Sequence, residues 1–531
     1  MRPPKQALAL VCVLSLAGFA YAADSGGHTP LAWRGRPMPK LTGPIFNQDC
    51  TDFFYTNAIT EGVDGGAVLD EYFDVIADAG VTVLMVNTNA RKTNYTGRAW
   101  ERFWDGYDPD GPDDQPYFAR SGPEAGYRRM VHSMMELDRQ GVDYPGRVIE
   151  RCRLRGVSPW ISLRMNDVHY NDNLDHPFHG KLWRDPQFHR GGSGYYARGL
   201  DWAHPQVRDL YRALMVETLQ RYDIDGLELD FMREPYLFAP GAEEAGAPVL
   251  REWLRAARRL VHDASVRRGH PIYLAVRVPS HVEVARSWGL DAVGWARDGL
   301  VDLIVATPRW ATLEYDMPLD RWAEELEGTD VTLAGGLEIL HRPLPGGPAV
   351  SVSKEQAAGA AAAVLAAGAD AVYLFNYFTP IANHPTWTPE GYRKTLQAMA
   401  SLEALNALPR RHAITWRDIT GRDEQYTPPL PAAGKALRFT LATGPKPPDG
   451  AKVTLELHLE QAAEAELPAV EFNATRCESA GASPSGEGAV LATYRVPPEA
   501  FTGTGHDVVE VGAPAESVKV LGVEMLIEPG M

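Results

Sequence analysis

The sequence predicts a (β/α)₈ barrel followed by a C-terminal all-β sandwich. From about residue 40 to residue 400, short apolar segments alternate eight times with amphipathic segments of helical period, which indicates parallel βαβ units. Polar side chains collect where the apolar segments end. From about residue 410 the pattern changes to period-two runs separated by Gly, Pro and Ser, with no competing helical period. A chain of 531 residues suits two domains of this kind.

The predicted barrel elements follow one another in regular order. The eight predicted strands are residues 43–47, 81–87, 159–164, 226–231, 272–278, 303–307, 331–337 and 371–375. The predicted helices are residues 68–79, 147–155, 205–222, 249–268, 320–326, 354–367 and 392–407. An open doubly wound sheet is the alternative, but no Gly-x-Gly-x-x-Gly follows the first strand. Two long aromatic-rich loops, 89–126 and 166–200, follow strands two and three, so both are expected on the catalytic face.

The start of the chain has the pattern of a secretory signal. Arg2 and Lys5 precede an apolar run over 7–20, and Ala20-Tyr21-Ala22 is a small-x-small cleavage site. We therefore predict a signal peptide over 1–22, a barrel over 23–408 and a sandwich over 409–531. The mature protein is expected to be secreted or periplasmic and free of the membrane; an uncleaved membrane anchor is the alternative.

The net charge limits the possible binding partners, and the cysteines indicate whether a disulfide scaffold is present. Removal of the leader would take the net charge from −17 to −19, which argues against nucleic acid and anionic membrane surfaces. A neutral substrate fits this charge, and an acidic one fits if a local arginine cluster binds it. Cys50, Cys152 and Cys477 are scattered and odd in number, so no disulfide scaffold is predicted. The sequence leaves the oligomeric state open.

The segment 223–235 is the most informative motif. Side chains alternate along a strand, so Leu227, Leu229 and Phe231 share one face while Glu228 and Asp230 share the other. Carboxylates in an apolar strand are costly unless they are used or satisfied. Asp230 would emerge at the strand end, where barrel enzymes keep their chemistry. The alternative is a buried ion pair of the carboxylate with Arg233 or Arg277, and Glu228 lies deeper in the strand.

Polar residues are expected to form a ring around the barrel mouth. Such a ring is what a small-molecule site at the carboxyl ends of barrel strands requires. The candidate substrate-binding residues are Asn47, Asp49, Asn87, Asn89, Arg91, Arg164, Asn166, Asp167, His169, Glu228, Arg233, Arg277, Arg309, Asn376 and Tyr377.

Asp230 and Glu338 are the carboxylates placed most like a catalytic pair. Glycoside cleavage needs one acid to protonate the leaving oxygen and a second carboxylate to attack or to activate water. A separation of roughly 5–5.5 Å would predict retention and about 6.5–9.5 Å inversion. Glu338 as a structural partner of Arg309 or Arg277 is the alternative, and Asp49 and Asp167 are the reserve candidates.

The remaining motifs have two readings each. The arginines either hold substrate hydroxyls or a uronate carboxylate, or neutralise buried acids. Trp104, Trp183 and Trp310 either stack on sugar rings or pack the loops.

His176 and His179 do not fit a zinc motif, and no P-loop, Gly-x-Ser-x-Gly elbow or Cys-x-x-Cys is present, so no metal and no cofactor are predicted.

A family resemblance adds to this reading. Residues 225–235 resemble the strand-four signature of bacterial barrels called glycosyl hydrolase-like 10; their sequence is Asp-Gly-Leu-Glu-Leu-Asp-Phe-Met-Arg-Glu-Pro. The segments 86–91 and 163–169 resemble other sequence segments of the same group. The resemblance covers about residues 40–400. It implies that Asp230 serves as nucleophile or acid. Barrels of this kind often keep the partner acid on strand six, which here ends Ala-Thr-Pro-Arg-Trp without one.

The sequence thus favours a secreted glycoside hydrolase acting on a polysaccharide or oligosaccharide. Two alternatives stay open. The first is a carbohydrate-binding barrel without catalysis, which the lack of a strand-six acid favours. The second is a polysaccharide lyase that acts on a uronate-containing glycan through His169 or Tyr377.

Overall fold

Eight parallel strands close into a barrel in the computed structural model, which describes residues 37–118, 125–310, 312–377, 387–460, 466–486, 488–512 and 517–530. The predicted signal peptide lies outside these residues. The barrel strands are β1 (Ile45–Gln48), β2 (Val83–Asn87), β3 (Ser158–Arg164), β4 (Gly226–Asp230), β5 (Tyr273–Pro279), β6 (Leu303–Thr307), β7 (Thr332–Glu338) and β8 (Ala371–Phe375). Each strand pairs with its sequence neighbours, and β1 pairs with both β2 and β8, which closes the ring. The predicted fold class is confirmed.

Alternation along the strands separates the barrel interior from the helical layer. Leu227, Leu229 and Phe231 pack outward into the large core shared with the helices. Glu228 points inward, where it accepts hydrogen bonds from Asn47 and Tyr373. The interior is filled by its own cluster of apolar side chains from all strands except β4, among them Ile45, Met85, Trp160, Ala275, Leu303, Ala334 and Phe375. The mouth of the barrel therefore lies above a packed layer.

The helices surround the barrel and follow the apolar periodicity. Gly156 and Gly269 end their helices in the left-handed region, which glycine adopts at low cost. The helix predicted over 392–407 is interrupted at Ser401, whose side chain caps a second short helix. The helices are Asp52–Thr56, Gly65–Asp78, Ala125–Arg139, Tyr144–Arg155, Pro205–Arg221, Glu243–Arg268, Val282–Ser287, Ala292–Arg297, Leu319–Leu326, Lys354–Ala366, Pro389–Ala398 and Leu402–Asn406.

The C-terminal residues form two antiparallel sheets packed face to face. One sheet contains β9 (Arg410–Ala413), β10 (Ala432–Gly434), β12 (Lys452–Glu460), β15 (Glu478–Gly486), β16 (Ala489–Arg495) and β18 (Val518–Glu528). The other contains β11 (Ala436–Ala442), β13 (Ala469–Phe472), β14 (Thr475–Arg476) and β17 (His506–Gly512). One apolar core joins the inner faces of both sheets, so the predicted β-sandwich is confirmed.

The sandwich packs on the barrel through an alanine-rich helix. Lys354–Ala366 lies between barrel strand β7 and β9, and its alanines are buried around most of its circumference. A helix that is apolar all round is expected to be covered on both sides. Among the described helices, none has the length and apolar character that a bilayer-spanning segment needs. The exact boundary at 408/409 stays a prediction.

Candidate active site

Charged side chains from three adjacent strands meet at one level of the barrel mouth. Arg164 on β3 lies opposite Asp230 on β4, and Asp230 lies opposite Arg277 on β5. All three are almost fully buried. Since paired residues of parallel strands point to the same side, their alternation with Leu163, Leu229 and Val276 directs them into the barrel.

Asp230 is held in a buried ion pair. Nη1 of Arg277 donates to both carboxylate oxygens of Asp230 at 3.1 Å. The backbone N–H groups of Met232 and Arg233 donate to Oδ1 at 3.0 and 2.9 Å. The arginine partner foreseen as the alternative is thus present, and both carboxylate oxygens of Asp230 accept hydrogen bonds from it.

Glu228 lies one layer deeper than Asp230, as its strand position predicts. Asn47 Nδ2 donates to its Oε2 at 2.9 Å and the Tyr373 hydroxyl at 3.1 Å. Burial and the nearby charge of Asp230 raise the pKa of Glu228 to about 7. These contacts make it part of the floor beneath the mouth.

Glu338 is a buried acid with one carboxyl oxygen unused. Its Oε1 accepts a hydrogen bond from the backbone N–H of Ile339 at 2.9 Å, and its Oε2 makes no hydrogen bond to any described residue. Burial raises the pKa of Glu338 to about 8, although the charges of Arg277 and Arg233 act in the opposite direction. The side chain therefore carries a proton at neutral pH. No ion pair with Arg309 or Arg277 forms within the described chain.

Asp49 is the most accessible of the candidate carboxylates. Its side chain is 13% exposed and forms an ion pair with Nη2 of Arg164. Its Oδ1 accepts hydrogen bonds from the backbone and hydroxyl of Thr51 and from the backbone of Asp52. Burial raises the pKa of Asp49, but Arg164, Arg233 and these hydrogen bonds outweigh it and lower the pKa to about 2.

Asp167, His169 and Arg233 form a chain of contacts. His169 Nδ1 lies 2.8 Å from Asp167 Oδ1, and its Nε2 lies 2.7 Å from Nη2 of Arg233. Arg233 must donate here, so the two contacts fit a neutral His169 protonated at Nδ1. Asp167 is fully buried and also bound by Arg164. Burial raises the pKa of Asp167, and the His169 and arginine contacts outweigh it and lower that pKa well below its usual range.

Several predicted site residues hold the loops in place. The side-chain amide of Asn89 accepts from the backbone of Arg164 and donates to it, and Asn87 donates to the carbonyl of Ser162. Asn166 bridges to Leu200 in the same way. These three amides join β2, β3 and the following loop. The contacts satisfy the amide oxygens of Asn89 and Asn166, whereas Oδ1 of Asn87 makes no hydrogen bond to the described residues.

Arg91 and Arg309 are likewise engaged with protein groups. Arg91 donates to the carbonyl of Asp167, and burial lowers its pKa to about 10. Arg309 forms a bidentate pair with Glu234, at 3.2 and 3.0 Å. The sequence interpretation missed Glu234, although it follows Arg233 directly in the strand-four motif.

Asn376 and Tyr377 follow β8 beside Glu338. Asn376 has a φ of 55°, a left-handed conformation that asparagine tolerates better than most residues. Its Oδ1 and the buried hydroxyl of Tyr377 make no hydrogen bond to the described residues. Burial and the charge of Glu338 raise the pKa of Tyr377 above its usual range. Both groups are thus buried polar atoms whose hydrogen-bonding capacity the described residues leave unused.

Two of the three candidate tryptophans and the Cys50 side chain are buried within the protein. Trp104 and Trp183 are buried, and Trp183 packs edge-on against Trp100, so both stabilise the long loops. Burial raises the pKa of the Cys50 thiol well above its usual range, which disfavours a nucleophilic thiolate there. Phe375, which the sequence interpretation counted only as strand core, belongs to the packed interior layer, and the guanidinium of Arg277 lies over its ring.

Within the described residues, one group of possible metal ligands lies close together, and it is in the sandwich and not at the barrel mouth. Glu456, His458 and Glu524 belong to the sandwich. Arg411 already forms ion pairs with both glutamates, which accounts for the cluster without a metal.

Comparison with solved structures returns glycoside hydrolases of low similarity. α-L-Fucosidase isoenzyme 2 from Paenibacillus thiaminolyticus has 15% identity and a TM-score of 0.38 over 68% of this chain and 49% of that chain, so the match spans about half of the fucosidase. The glycoside hydrolase domain of PgaB (BpsB) from Bordetella bronchiseptica has 14% identity and a TM-score of 0.40 over 67% of this chain and 98% of that chain. The noncanonic maltogenic α-amylase AmyB from Thermotoga neapolitana has 9% identity and a TM-score of 0.38 over 91% and 99%.

No protein-family model matches the chain, and no curated protein matches it. The resemblance to the glycosyl hydrolase-like 10 group therefore stays an expectation. The identities and TM-scores of the structural neighbours are too low to transfer an activity or a substrate to this chain.

Proposed function

We propose that this protein is a secreted glycoside hydrolase that uses Glu338 as general acid and Asp230 as nucleophile or base. The observation that supports this most strongly is Glu338 itself. It is a buried carboxylic acid at the barrel mouth, its pKa is raised to about 8, and its Oε2 has no hydrogen-bond partner in the described chain. A general acid for a leaving oxygen needs a carboxyl that is still protonated at the working pH.

The second carboxylate would act from the opposite side of the sugar. Asp230 lies on β4, three strands from Glu338 on β7, and Arg277 stabilises its charge. Oδ2 of Asp230 would attack the anomeric carbon or take a proton from water, while Glu338 protonates the glycosidic oxygen. Asp49 is the reserve for this role, because its low pKa keeps it charged and it is more accessible.

A polysaccharide lyase is the alternative that one observation favours. The Tyr377 hydroxyl is free within the described residues and lies near Glu338. A lyase needs a base, however, and the raised pKa of Tyr377 makes its hydroxyl a poor one at neutral pH. His169 Nε2 is already occupied by Arg233. The hydrolase is therefore the better-supported proposal.

The test is incubation of the full chain with a panel of neutral and acidic polysaccharides, followed by mass analysis of the products. Hydrolysis adds water to each new reducing end, whereas a lyase leaves an unsaturated end that absorbs ultraviolet light. We expect Glu338→Gln to lower turnover by about 10²–10⁴-fold. Glu327→Gln is the control. Glu327 is exposed and directly follows the helix Leu319–Leu326, so its substitution should leave turnover unchanged.

Asp230→Asn needs a folding control, because it would leave the Arg277 charge buried without its partner. Loss of one member of a buried pair typically costs about 3–5 kcal/mol. Added azide should restore some turnover to the alanine variant of whichever carboxylate is the nucleophile, Asp230→Ala or Asp49→Ala, because the shorter side chain leaves space for the azide ion to attack in its place. Absence of any product from wild type, or full turnover by Glu338→Gln, would contradict the proposal.

A further inference from the structure

Arg233 is a buried cation without an acidic partner among the described residues. The residue is 7% exposed, and no carboxylate of the described chain lies within ion-pair distance of its guanidinium. Its Nη2 donates to His169 Nε2, while Nε and Nη1 make no hydrogen bond to the described residues. Burial lowers the pKa of Arg233, as expected for a cation removed from water.

The other arginines at the mouth are matched by acids, so the surplus charge belongs to Arg233. Each of these contacts lies at 4.0 Å or less: Arg91 with Asp167, Arg164 with Asp49 and Asp167, Arg277 with Asp230, and Arg309 with Glu234. Glu338 does not supply the missing charge, because it is protonated at neutral pH. An unpaired buried cation is unfavourable for folding, and such groups are retained where a ligand uses them.

Arg277 presents a second set of unused donors beside Arg233. Its Nη1 binds Asp230, but its Nε and Nη2 make no hydrogen bond within the described chain. The guanidinium lies over the Phe375 ring, 3.7 Å from the centroid, and that of Arg233 lies 6.0 Å from the same centroid. Stacking on Phe375 fixes the plane of Arg277 and leaves an edge of the guanidinium that suits two parallel bonds to an anion.

We propose that Arg233 and Arg277 bind an anionic substituent of the sugar, a uronate carboxylate or a sulfate ester, next to the cleaved bond. This rests on the proposed function, since it assigns the substrate class of the same site. Nε and Nη1 of Arg233 and Nε and Nη2 of Arg277 are the donors. The bound anion neutralises the surplus charge of Arg233.

The test separates anion recognition from cleavage. Polygalacturonate, alginate and a sulfated galactan are each compared with their carboxyl-reduced or desulfated forms, which keep the same linkages. Binding is measured by calorimetry with the Glu338→Gln protein, and cleavage is measured with wild type. We expect at least one acidic glycan to bind roughly ten- to hundredfold more tightly than its neutral form, a preference that Arg233→Gln removes. The uronate and sulfate arms show which anion is recognised.

Variants and controls keep the result interpretable. Arg233→Lys keeps the charge but not the planar donors, so it should restore only part of the preference. Arg212→Gln, an exposed change on the helix before β4, is the control. Arg233→Gln removes a buried charge that has no acidic partner in the described part of the chain, so its thermal midpoint should equal or exceed that of wild type.

Each outcome decides between the two proposals. Arg233-dependent binding of an acidic glycan without cleavage would sustain this inference and refute the hydrolase. Equal binding and cleavage of neutral and acidic forms, or a preference that survives in Arg233→Gln, would refute the inference and leave the hydrolase standing. Binding of none of the acidic glycans would also refute it.

Discussion

Three inward-facing acids of the barrel differ in the hydrogen-bond donors that surround their carboxyl groups. Glu228 receives donors from Asn47 and Tyr373, and Asp230 receives an arginine and two backbone N–H groups. Glu338 receives one backbone N–H on Oε1, and its Oε2, like Oε1 of Glu228, makes no hydrogen bond to the described residues. Burial without a charged partner is costly for a carboxylate. It raises the pKa of Glu228 to about 7 and that of Glu338 to about 8, so Glu338 keeps its proton to the higher pH of the two.

The raised pKa of Glu338 predicts a pH-dependent stability. Its pKa is about 8 in the folded protein and near 4.5 when unfolded, so the folded state binds the extra proton between these values. The contribution of Glu338 to stability is complete below about pH 4.5 and is lost as the pH rises through about 8. As the pH rises across this range, the free energy of unfolding of Glu338→Gln should therefore increase by about 3–5 kcal/mol relative to that of wild type.

Urea unfolding of both proteins at several pH values measures this difference. Cleavage by wild type should decline above about pH 8 as Glu338 loses its proton. A stability difference that does not change with pH would show that Glu338 is ionised in the folded protein and would remove its assigned role.

At the scale of elements, the helix Lys354–Ala366 couples the barrel to the sandwich through a close approach at Gly359. A Cβ atom there would lie 2.0 Å from the carbonyl oxygen of Arg411 on β9. The small side chains of the helix thus let a strand of the second domain lie directly against it. Gly359 fits this contact because any larger residue would push the two elements apart.

Gly359→Ala should destabilise the protein despite the better helix propensity of alanine. Alanine gains about 1 kcal/mol in a helix interior, whereas forcing an atom into a filled contact costs about 1–3 kcal/mol or more. Gly66→Ala is the matched control, since the nearest atom to its added Cβ would be 3.4 Å away. Thermal unfolding should show a lower midpoint for Gly359→Ala only; an unchanged or higher midpoint would contradict the packing described here.

Periodicity was enough to predict the barrel elements but not their polar partners. The predicted bounds of β6 and β8 are those observed, because each is a short apolar run between clear turns. The pairing of Arg309 with Glu234, and not with Glu338, depends on how loops from two strands fold over the mouth. Spacing along the chain carries no information on such loop contacts. The pairing of Asp230 with Arg277 could be proposed, because both residues lie near the ends of neighbouring strands, whereas the pairing of Arg309 with Glu234 could not.

At the scale of the whole molecule, the second domain fixes loops around the mouth. Asp418, in the segment after β9, accepts hydrogen bonds from the backbone of Arg309 and Trp310. Trp416 donates to the carbonyl of Arg342, and Trp288 donates to that of Thr420. These contacts join residues about a hundred positions apart, and no pattern in the sequence indicated them.

The charge of the chain gives the arginines at the mouth a particular role. With a net charge of −17, the protein repels polyanions at long range. An acidic glycan is then attracted only where unpaired donors such as those of Arg233 lie within contact distance. Selectivity for a substrate and resistance to unspecific binding follow from the same distribution of charge.

The most direct test of a general-acid role for Glu338 is the dependence of cleavage on the leaving group. Aryl glycosides of the sugar identified in the glycan panel are compared, with one good and one poor leaving group. We expect Glu338→Gln to lose about 10²–10⁴-fold in turnover of the poor leaving group and little of the good one, which needs no proton. An equal loss for both substrates, or no loss for either, would contradict the assignment of Glu338 as the acid.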